Sequence, residues 1–300
     1  MTASVPDVVD VLQLTASSAP AHAHDFLVEV PHGAAGDWEY QAVASHLRSV
    51  LPTDLVEFFH VNTDAGAAEV GVALAERLCA RGLVRRAFVV RSRIPRTFID
   101  CNRVLGASRE AYKAGGVTPG VPPWVQAPED HALLVERYEA YQAVAGRLLA
   151  EVCDGGGRAL LLHTYAPRSV DVEVGPDIVP ALRDAYREEN VGRWPLRPEA
   201  DLIFRDPEGN LHLAAPAVDG LRAALAAAGV SLAEGATYPL HPVTTGYAHV
   251  LRWPGRVACV EVRRDLLTAA FVPFRQVQLD AGRVAAVAEA FAQWVAGWTD

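Results

Sequence analysis

The feature of this sequence that most restricts its fold is the alternation of short apolar runs with longer amphipathic segments. Runs typical of strands lie at residues 25–30, 56–61, 87–90, 159–162 and 257–262, and helical spacing covers residues 38–50, 67–79, 129–152 and 281–298. Strands that alternate with helices favour a largely parallel sheet covered on both faces. The sequence therefore predicts an α/β protein with three αβα layers around a mixed, largely parallel central sheet.

The domain organisation follows from length and composition. A chain of 300 residues is near the size at which one hydrophobic core stops growing. With 51% hydrophobic and 21% charged residues the chain can fill such a core, and no break in composition marks a linker. We expect a single α/β domain over residues 25–300, preceded by a flexible lead over the weakly patterned residues 1–24.

The charge balance argues against large polyanionic partners. The net charge is −9, which opposes binding to nucleic acid or to an anionic membrane surface. Six arginines lie between Arg81 and Arg96, but Phe88 is the one aromatic residue among them that could stack on a base. Lys113 is the single lysine among 27 basic residues, so the positions of the arginines matter more than their number.

The same features indicate a cytoplasmic protein. No apolar run approaches the ~20 residues that a membrane span needs, and the first residues lack the basic start of a secretory signal. The four cysteines are scattered without a C-x-x-C pair, which fits a reducing compartment. We expect no membrane partner, and the oligomeric state stays open.

Four polar residues lie at the ends of strand-like runs: His32, Asp64, His163 and Glu261. In α/β sheets the functional site gathers outside the carboxyl ends of the strands. Two histidines and a carboxylate can hold a catalytic zinc ion, and a further carboxylate can act as general base. Each residue taken alone could instead have a purely structural role. Asp64, for instance, precedes a predicted helix and could be its N-cap.

A second group of candidates lies in the block Arg96–Arg103 and in one later arginine. An extended backbone would place Asp100 and Asn102 on one side and Arg103 on the other. Asn102 and Arg103 together can bind a substrate carboxylate, because a guanidinium offers a bidentate fork. Arg168 is either a second contact for the anion or an ordinary loop charge.

Five separated blocks together resemble the N-formylglutamate amidohydrolases, which are similar in fold to zinc carboxypeptidases and aspartoacylases. The blocks are Val30–Gly33, Asn62–Asp64, Arg96–Arg103 in the pattern R-x-x-I-D-x-N-R, Leu162–Tyr165, and Gly246–Tyr247 followed by Cys259–Val262. The resemblance implies the zinc carboxypeptidase-like (phosphorylase/hydrolase-like) fold. It also implies site roles: zinc held by His32, Asp64 and His163, water activated by Glu261, the oxyanion stabilised by Arg96, and the carboxylate bound by Asn102 and Arg103.

The sequence departs from the family pattern at the first histidine. Gly33 follows His32 directly, where the family has serine, and Ala35 stands where carboxypeptidases place their ligand carboxylate. Asp64 is therefore the first choice for the second ligand, and Asp37 and Glu39 are the alternatives.

The expected function is that of a zinc-dependent amidohydrolase acting on a small-molecule carboxylate. The substrate would be an N-acyl acidic amino acid or a similar compound, with the N-formyl group as one case. One alternative is a carboxypeptidase-like hydrolase of peptide or cell-wall amides. The other is a protein that binds small anions on the same fold without catalysis.

Overall fold

The apolar runs that predict buried strands lie side by side in one sheet. The computed structural model describes residues 4–298. Its seven strands are β1 Val9–Thr15, β2 Phe26–Val30, β3 Arg86–Ser92, β4 Arg158–Tyr165, β5 Ala200–Ile203, β6 Leu232–Glu234 and β7 Val257–Arg263. They are arranged in the order β1-β3-β2-β4-β7-β5-β6. Strands β3, β2, β4 and β7 are parallel, whereas β1 pairs antiparallel with β3 and β5 pairs antiparallel with β7.

Helices cover both faces of this sheet. They are α1 Asp37–Ala44, α2 Leu55–Asn62, α3 Ala67–Ala80, α4 Arg109–Ala114, α5 Pro128–Asp154, α6 Ile178–Ala185, α7 Glu188–Val191, α8 Ala215–Ala227, α9 Thr245–Arg252 and α10 Ala281–Gly297. Helices α3, α8 and α10 share one hydrophobic core with the sheet. Helices α1, α2, α5, α6 and α9 contribute to a second core on the opposite face.

Alternate side chains of the central strands supply the two cores. Val28, Leu160 and Val260 belong to the core under α3 and α10. Their neighbours Leu27 and Leu161 belong to the core under α5. This period-two division explains why the central strands are apolar without interruption, since both faces are buried. The α/β class and the mixed, largely parallel three-layer architecture are therefore confirmed.

Two local expectations need correction. Val9–Thr15 is an ordered edge strand rather than part of a flexible lead, because its backbone pairs with β3 along its whole length. Residues 56–61 are helical in α2 rather than extended. Their valines and phenylalanines favour strands locally. However, Phe59 is fully buried in the core between the sheet and α5, and this tertiary packing outweighs the local preference. Residues 1–3 of the expected lead lie outside the described part of the chain.

Within residues 4–298, none of the helices combines the length and the apolar character that crossing a bilayer requires.

Candidate metal centre and binding cavity

His32 lies in the turn that follows β2, and its surroundings leave no room for a side chain at the next residue. A Cβ on Gly33 would lie 2.4 Å from Cγ of Arg91 and 3.0 Å from the carbonyl oxygen of Ser92. The Arg91 Nε donates to the Gly33 carbonyl at 2.9 Å. The glycine after His32 is therefore favoured by close packing of the turn against β3.

Asp64 is presented by the connection between α2 and α3 and not by a strand. Its backbone N–H donates to the carbonyl of His32 at 3.4 Å, which joins the two segments. The fully buried Arg264 donates to the carbonyls of His60, Val61 and Thr63 and so fixes the residues before Asp64. The N-cap of α3 is Gly66, so the capping interpretation of Asp64 is wrong.

His163 and Glu261 lie on neighbouring parallel strands. His163 belongs to β4 itself rather than to the turn after it, and Glu261 lies directly opposite on β7. The strand register alone therefore places these two side chains next to each other. Asp201 of β5 faces Glu261 from the other side, but it accepts backbone hydrogen bonds from Ala236 and Thr237.

Three buried donor atoms converge at one point. Asp64 Oδ2 lies 3.1 Å from His32 Nδ1 and 2.9 Å from His163 Nδ1, and the two nitrogens are 3.2 Å apart. A position about 2.0–2.1 Å from all three atoms exists just outside their plane, which is the bond length that zinc prefers to nitrogen and oxygen. His32, Asp64 and His163 are thus a group that suits a metal ion.

The two alternative ligands have other partners. Asp37 Oδ1 lies 2.7 Å from His60 Nε2, and its carboxylate is 64% exposed. The buried Glu39 accepts hydrogen bonds from the backbone N–H groups of Ala35 and Gly36 and pairs with Arg91. Neither carboxylate belongs to the converging group, so the geometry favours Asp64 as the second ligand.

Asp100 orients the first histidine. Its Oδ1 lies 2.6 Å from His32 Nε2, the nitrogen that faces away from the converging group, and also accepts from the Asn102 N–H at 2.8 Å. Such a carboxylate fixes the tautomer of a metal-binding imidazole. Although burial opposes its ionisation, the charges of Arg103, His32 and Arg96 hold the pKa of Asp100 well below its usual value. The residues around Asp100 form turns, not the expected extended segment.

The pKa values of Asp64 and Glu261 are shifted in opposite directions. Burial would raise the pKa of Asp64, but the adjacent His32 and His163 lower it, so this carboxylate stays ionised. The pKa of Glu261 is raised, first by burial and then by the charge of Asp64. A carboxyl group with a raised pKa is suited to taking up and returning a proton. Despite burial, the hydrogen bond to Asp64 and the charge of Glu261 raise the pKa of His163.

The four remaining sequence candidates all line the same cavity, whose volume is about 260 Å³. Arg96 Nη2 donates to Asp100 at 2.8 Å, and its Nη1 lies 3.4 Å from Asp64 Oδ1. Asn102 Oδ1 accepts from the Gly246 N–H, which turns its amide nitrogen toward His163 Nε2 at 3.5 Å. Arg103 donates to the carbonyls of Thr118 and Asn102, and Arg168 donates to that of Trp194.

Part of the cavity wall is apolar. Val170, Val172 and Val174 alternate along the segment after β4, and Ile178 and Leu182 of α6 lie beside them. The cavity therefore joins His32, His163 and Glu261 to an apolar surface.

The fold is similar to that of a solved N-formylglutamate amidohydrolase from Ralstonia eutropha JMP134, with a TM-score of 0.56, 14% identity, and coverage of 95% of this chain and 98% of that chain. The chain has the N-formylglutamate amidohydrolase fold. A gene product from Agrobacterium tumefaciens is also similar, with a TM-score of 0.50, 18% identity, and coverage of 98% and 94% of the two chains. No family model matches the chain, and no curated protein sequence matches it.

Sequence reasoning missed several side chains that this N-formylglutamate amidohydrolase fold brings into the cavity, and two of them, Arg197 and Tyr238, come from loops. Arg197 lies in the Pro- and Arg-rich loop before β5, and Tyr238 lies after β6. Neither stands at a strand end or in a recognisable motif, so local sequence carries no signal for them. They reach the cavity because the antiparallel β5 brings its flanking loops beside β7.

Proposed function

We propose that this chain is a zinc-dependent amidohydrolase that removes an N-acyl group from an acidic amino acid or a similar small carboxylate. The observation that carries the proposal is the position of Glu261. Its carboxyl group lies opposite His163 in the sheet and lines the cavity that holds His32 and His163. The pairing of three metal-binding donors with a separate, partly buried acid is the arrangement that metal-assisted hydrolysis needs.

Zinc at this centre would act as a Lewis acid and lower the pKa of water toward ~7. Glu261 takes the proton from the attacking water as general base. It then gives that proton to the nitrogen of the leaving amine as the C–N bond breaks. The raised pKa of Glu261 suits the second step, because a more basic carboxylate holds the proton until the amine departs.

Arg96 stabilises the charge that develops on the amide oxygen. Its guanidinium is fixed by Asp64 and Asp100, so little reorganisation is needed as the charge forms. Asn102, Arg103 and Arg168 contact the substrate carboxylate in this proposal. The Asn102 amide is held by the Gly246 N–H and the Thr245 hydroxyl, which directs its NH₂ group into the cavity beside His163.

The substitution Glu261→Gln tests the general base. We expect the turnover number for N-formylglutamate to fall by at least about 10²-fold, because general base catalysis contributes about 10²–10⁴-fold. Bound zinc, measured by elemental analysis, should stay at the wild-type level, since Glu261 is outside the ligand group.

Glu173→Gln is the matched control, because Glu173 is 87% exposed and should leave turnover unchanged. Wild-type turnover in the Glu261 variant would refute its role. Absence of stoichiometric zinc from the wild-type protein, together with activity that survives chelation, would refute the zinc-dependent function as a whole.

The apolar wall favours a second candidate function, the carboxypeptidase-like hydrolysis of peptide amides. Val170, Val172 and Val174 offer a surface that a formyl group and a glutamate side chain leave unused. Assaying N-formylglutamate beside N-acylated dipeptides with apolar residues separates the two. A value of kcat/KM at least tenfold higher for the dipeptides would favour the peptidase, and the reverse would favour the amidohydrolase.

A further inference from the structure

Five arginines line the cavity, and three of them are already bound within the protein. Arg96 pairs with Asp64 and Asp100, and Arg103 lies 3.4 Å from Asp100. Arg264 is fully buried and donates to three backbone carbonyls before Asp64. Besides the roles proposed above, the charges of Arg96 and Arg103 therefore also hold Asp100 ionised.

Arg197 differs from Arg96 and Arg103, which pair with carboxylates. No carboxylate within residues 4–298 lies at ion-pair distance from its guanidinium, which donates from Nη2 to the Tyr238 hydroxyl at 3.1 Å. Its Nε is buried without a hydrogen-bond partner. The side chain lines the cavity, so its charge, which no carboxylate neutralises, can act on an incoming anion.

Two aromatic rings hold the Arg197 guanidinium in place. Its central carbon lies 5.2 Å from the ring centroid of Tyr165 and 5.7 Å from that of Tyr238. Contacts with aromatic faces orient an arginine without neutralising it. The guanidinium also lies close enough to Glu261 for its charge to lower the pKa of that carboxyl. Arg197 thus combines a fixed orientation, an unpaired charge and proximity to the proposed general base.

We propose that Arg197 is the specificity-determining residue that binds a second anionic group of the substrate, beside the carboxylate assigned to Asn102 and Arg103, by a charge-assisted hydrogen bond from its guanidinium. The inference rests on the proposed function and assigns to it a residue that sequence motifs do not reveal. Arg168 is the competing candidate, because it too lines the cavity and donates to a single carbonyl. Arg168 lacks the two flanking rings that distinguish Arg197.

The test is a binding measurement that does not depend on turnover. Glutarate, a dicarboxylate without an amide bond, is titrated by calorimetry into the full-length protein, both zinc-loaded and chelator-treated. We expect Arg197→Gln to weaken glutarate binding roughly 10- to 100-fold, the range for a hydrogen bond to a charged group. Arg197→Lys should be intermediate, because lysine keeps the charge and loses the planar fork.

Arg193→Gln is the matched control, since Arg193 lies in the same loop and is exposed. It should bind glutarate as the wild type does, and neutral glutaramide should bind more weakly than glutarate to the wild type. Equal thermal midpoints for the variants and the wild type would show that the loss is not caused by unfolding. If N-formylglutamate is hydrolysed, Arg197→Gln should raise KM and change kcat little.

Several outcomes would overturn the inference. They are wild-type binding of glutarate by Arg197→Gln, loss of binding in Arg168→Gln alone, and failure of the wild type to bind glutarate. Glutarate binding that depends on Arg197, in a protein that hydrolyses no amide, would leave the inference standing and refute the proposed function. The experiments can therefore refute anion binding by Arg197 and the amidohydrolase function independently of each other.

Discussion

At the scale of single residues, Asp100 connects the metal ligands to the arginines. Its carboxylate contacts His32 Nε2 on one oxygen and Arg96 on the other. The sequence indicates the block that contains Asp100, yet 68 positions separate it from His32. Spacing along the chain says nothing about such a contact, so the partner of the histidine emerges only from the fold.

Asp100→Asn should weaken zinc binding. The asparagine side chain keeps the shape of aspartate but removes the charge that orients His32. We expect the affinity for zinc to fall about 10- to 100-fold, the range for loss of an outer partner of a metal ligand. Competition with a chromophoric chelator measures this affinity directly.

Asp37→Asn is the matched control for that measurement. Asp37 forms the same kind of contact, a carboxylate 2.7 Å from the Nε2 of His60, but outside the converging group. Zinc affinity in this variant should equal that of the wild type. Equal losses of zinc affinity in both variants would mean that Asp100 has no specific role in orienting His32 for the metal.

At the scale of secondary structure elements, the central strands could be predicted and the edges of the sheet could not. Runs such as Leu160–Leu162 are buried on both faces, so their apolar character is unbroken and easily recognised. The edge strands are harder to recognise. β1 mixes polar and apolar residues, and β5 and β6 are only four and three residues long. Pairing with a neighbour decides whether such short segments are strands.

The start of β2 is held to β3 by a buried charge. Asp25 lies 2.7 Å from Arg85 Nη2 and 2.5 Å from Arg86 Nη2. Burial opposes ionisation of Asp25, but hydrogen bonds from both arginines lower its pKa below the usual value. A lowered pKa means that the contribution to stability is present above the unfolded-state pKa of about 3.9 and is lost as pH falls through the folded-state pKa.

Asp25→Asn should therefore lower the free energy of unfolding at pH 7 by about 1–2 kcal/mol, a range that allows for the partly exposed Arg85. The difference from the wild type should begin to shrink below about pH 4, where the unfolded chain takes up the proton, and should vanish as pH falls through the lower folded-state pKa of Asp25. Urea unfolding at pH 7, 5, 4 and 3 measures both effects. Asp219→Asn, which alters an exposed pair with Arg222, should change stability by less than about 0.5 kcal/mol.

At the scale of the whole molecule, the candidate ligands link distant parts of the chain. His32 follows β2, Asp64 precedes α3, and His163 lies in β4. A metal ion bound by these segments stabilises the folded state over the unfolded one, because the unfolded chain does not hold the ligands together. The sequence indicated all three residues that the fold brings together, although it placed Asp64 after a strand rather than after a helix.

Zinc should accordingly raise the midpoint temperature of thermal unfolding. A free concentration 100-fold above the dissociation constant adds about 2.7 kcal/mol, which corresponds to a shift on the order of 5 °C. Differential scanning calorimetry with and without zinc measures the shift. His163→Ala should abolish it, and His22→Ala, at an exposed histidine, should keep it. A full shift in His163→Ala would place the ion elsewhere.

The position of β7 has a consequence for biosynthesis. It is the last strand to be made, yet it lies between β4 and β5. Ribosomes that add about 5–20 residues per second need roughly 5–20 s to pass from the end of β4 to the end of β7. Throughout that interval the nascent chain carries an unpaired inner edge on β4, and β5 has no place in the sheet. Each newly made copy is then most open to pairing with another chain.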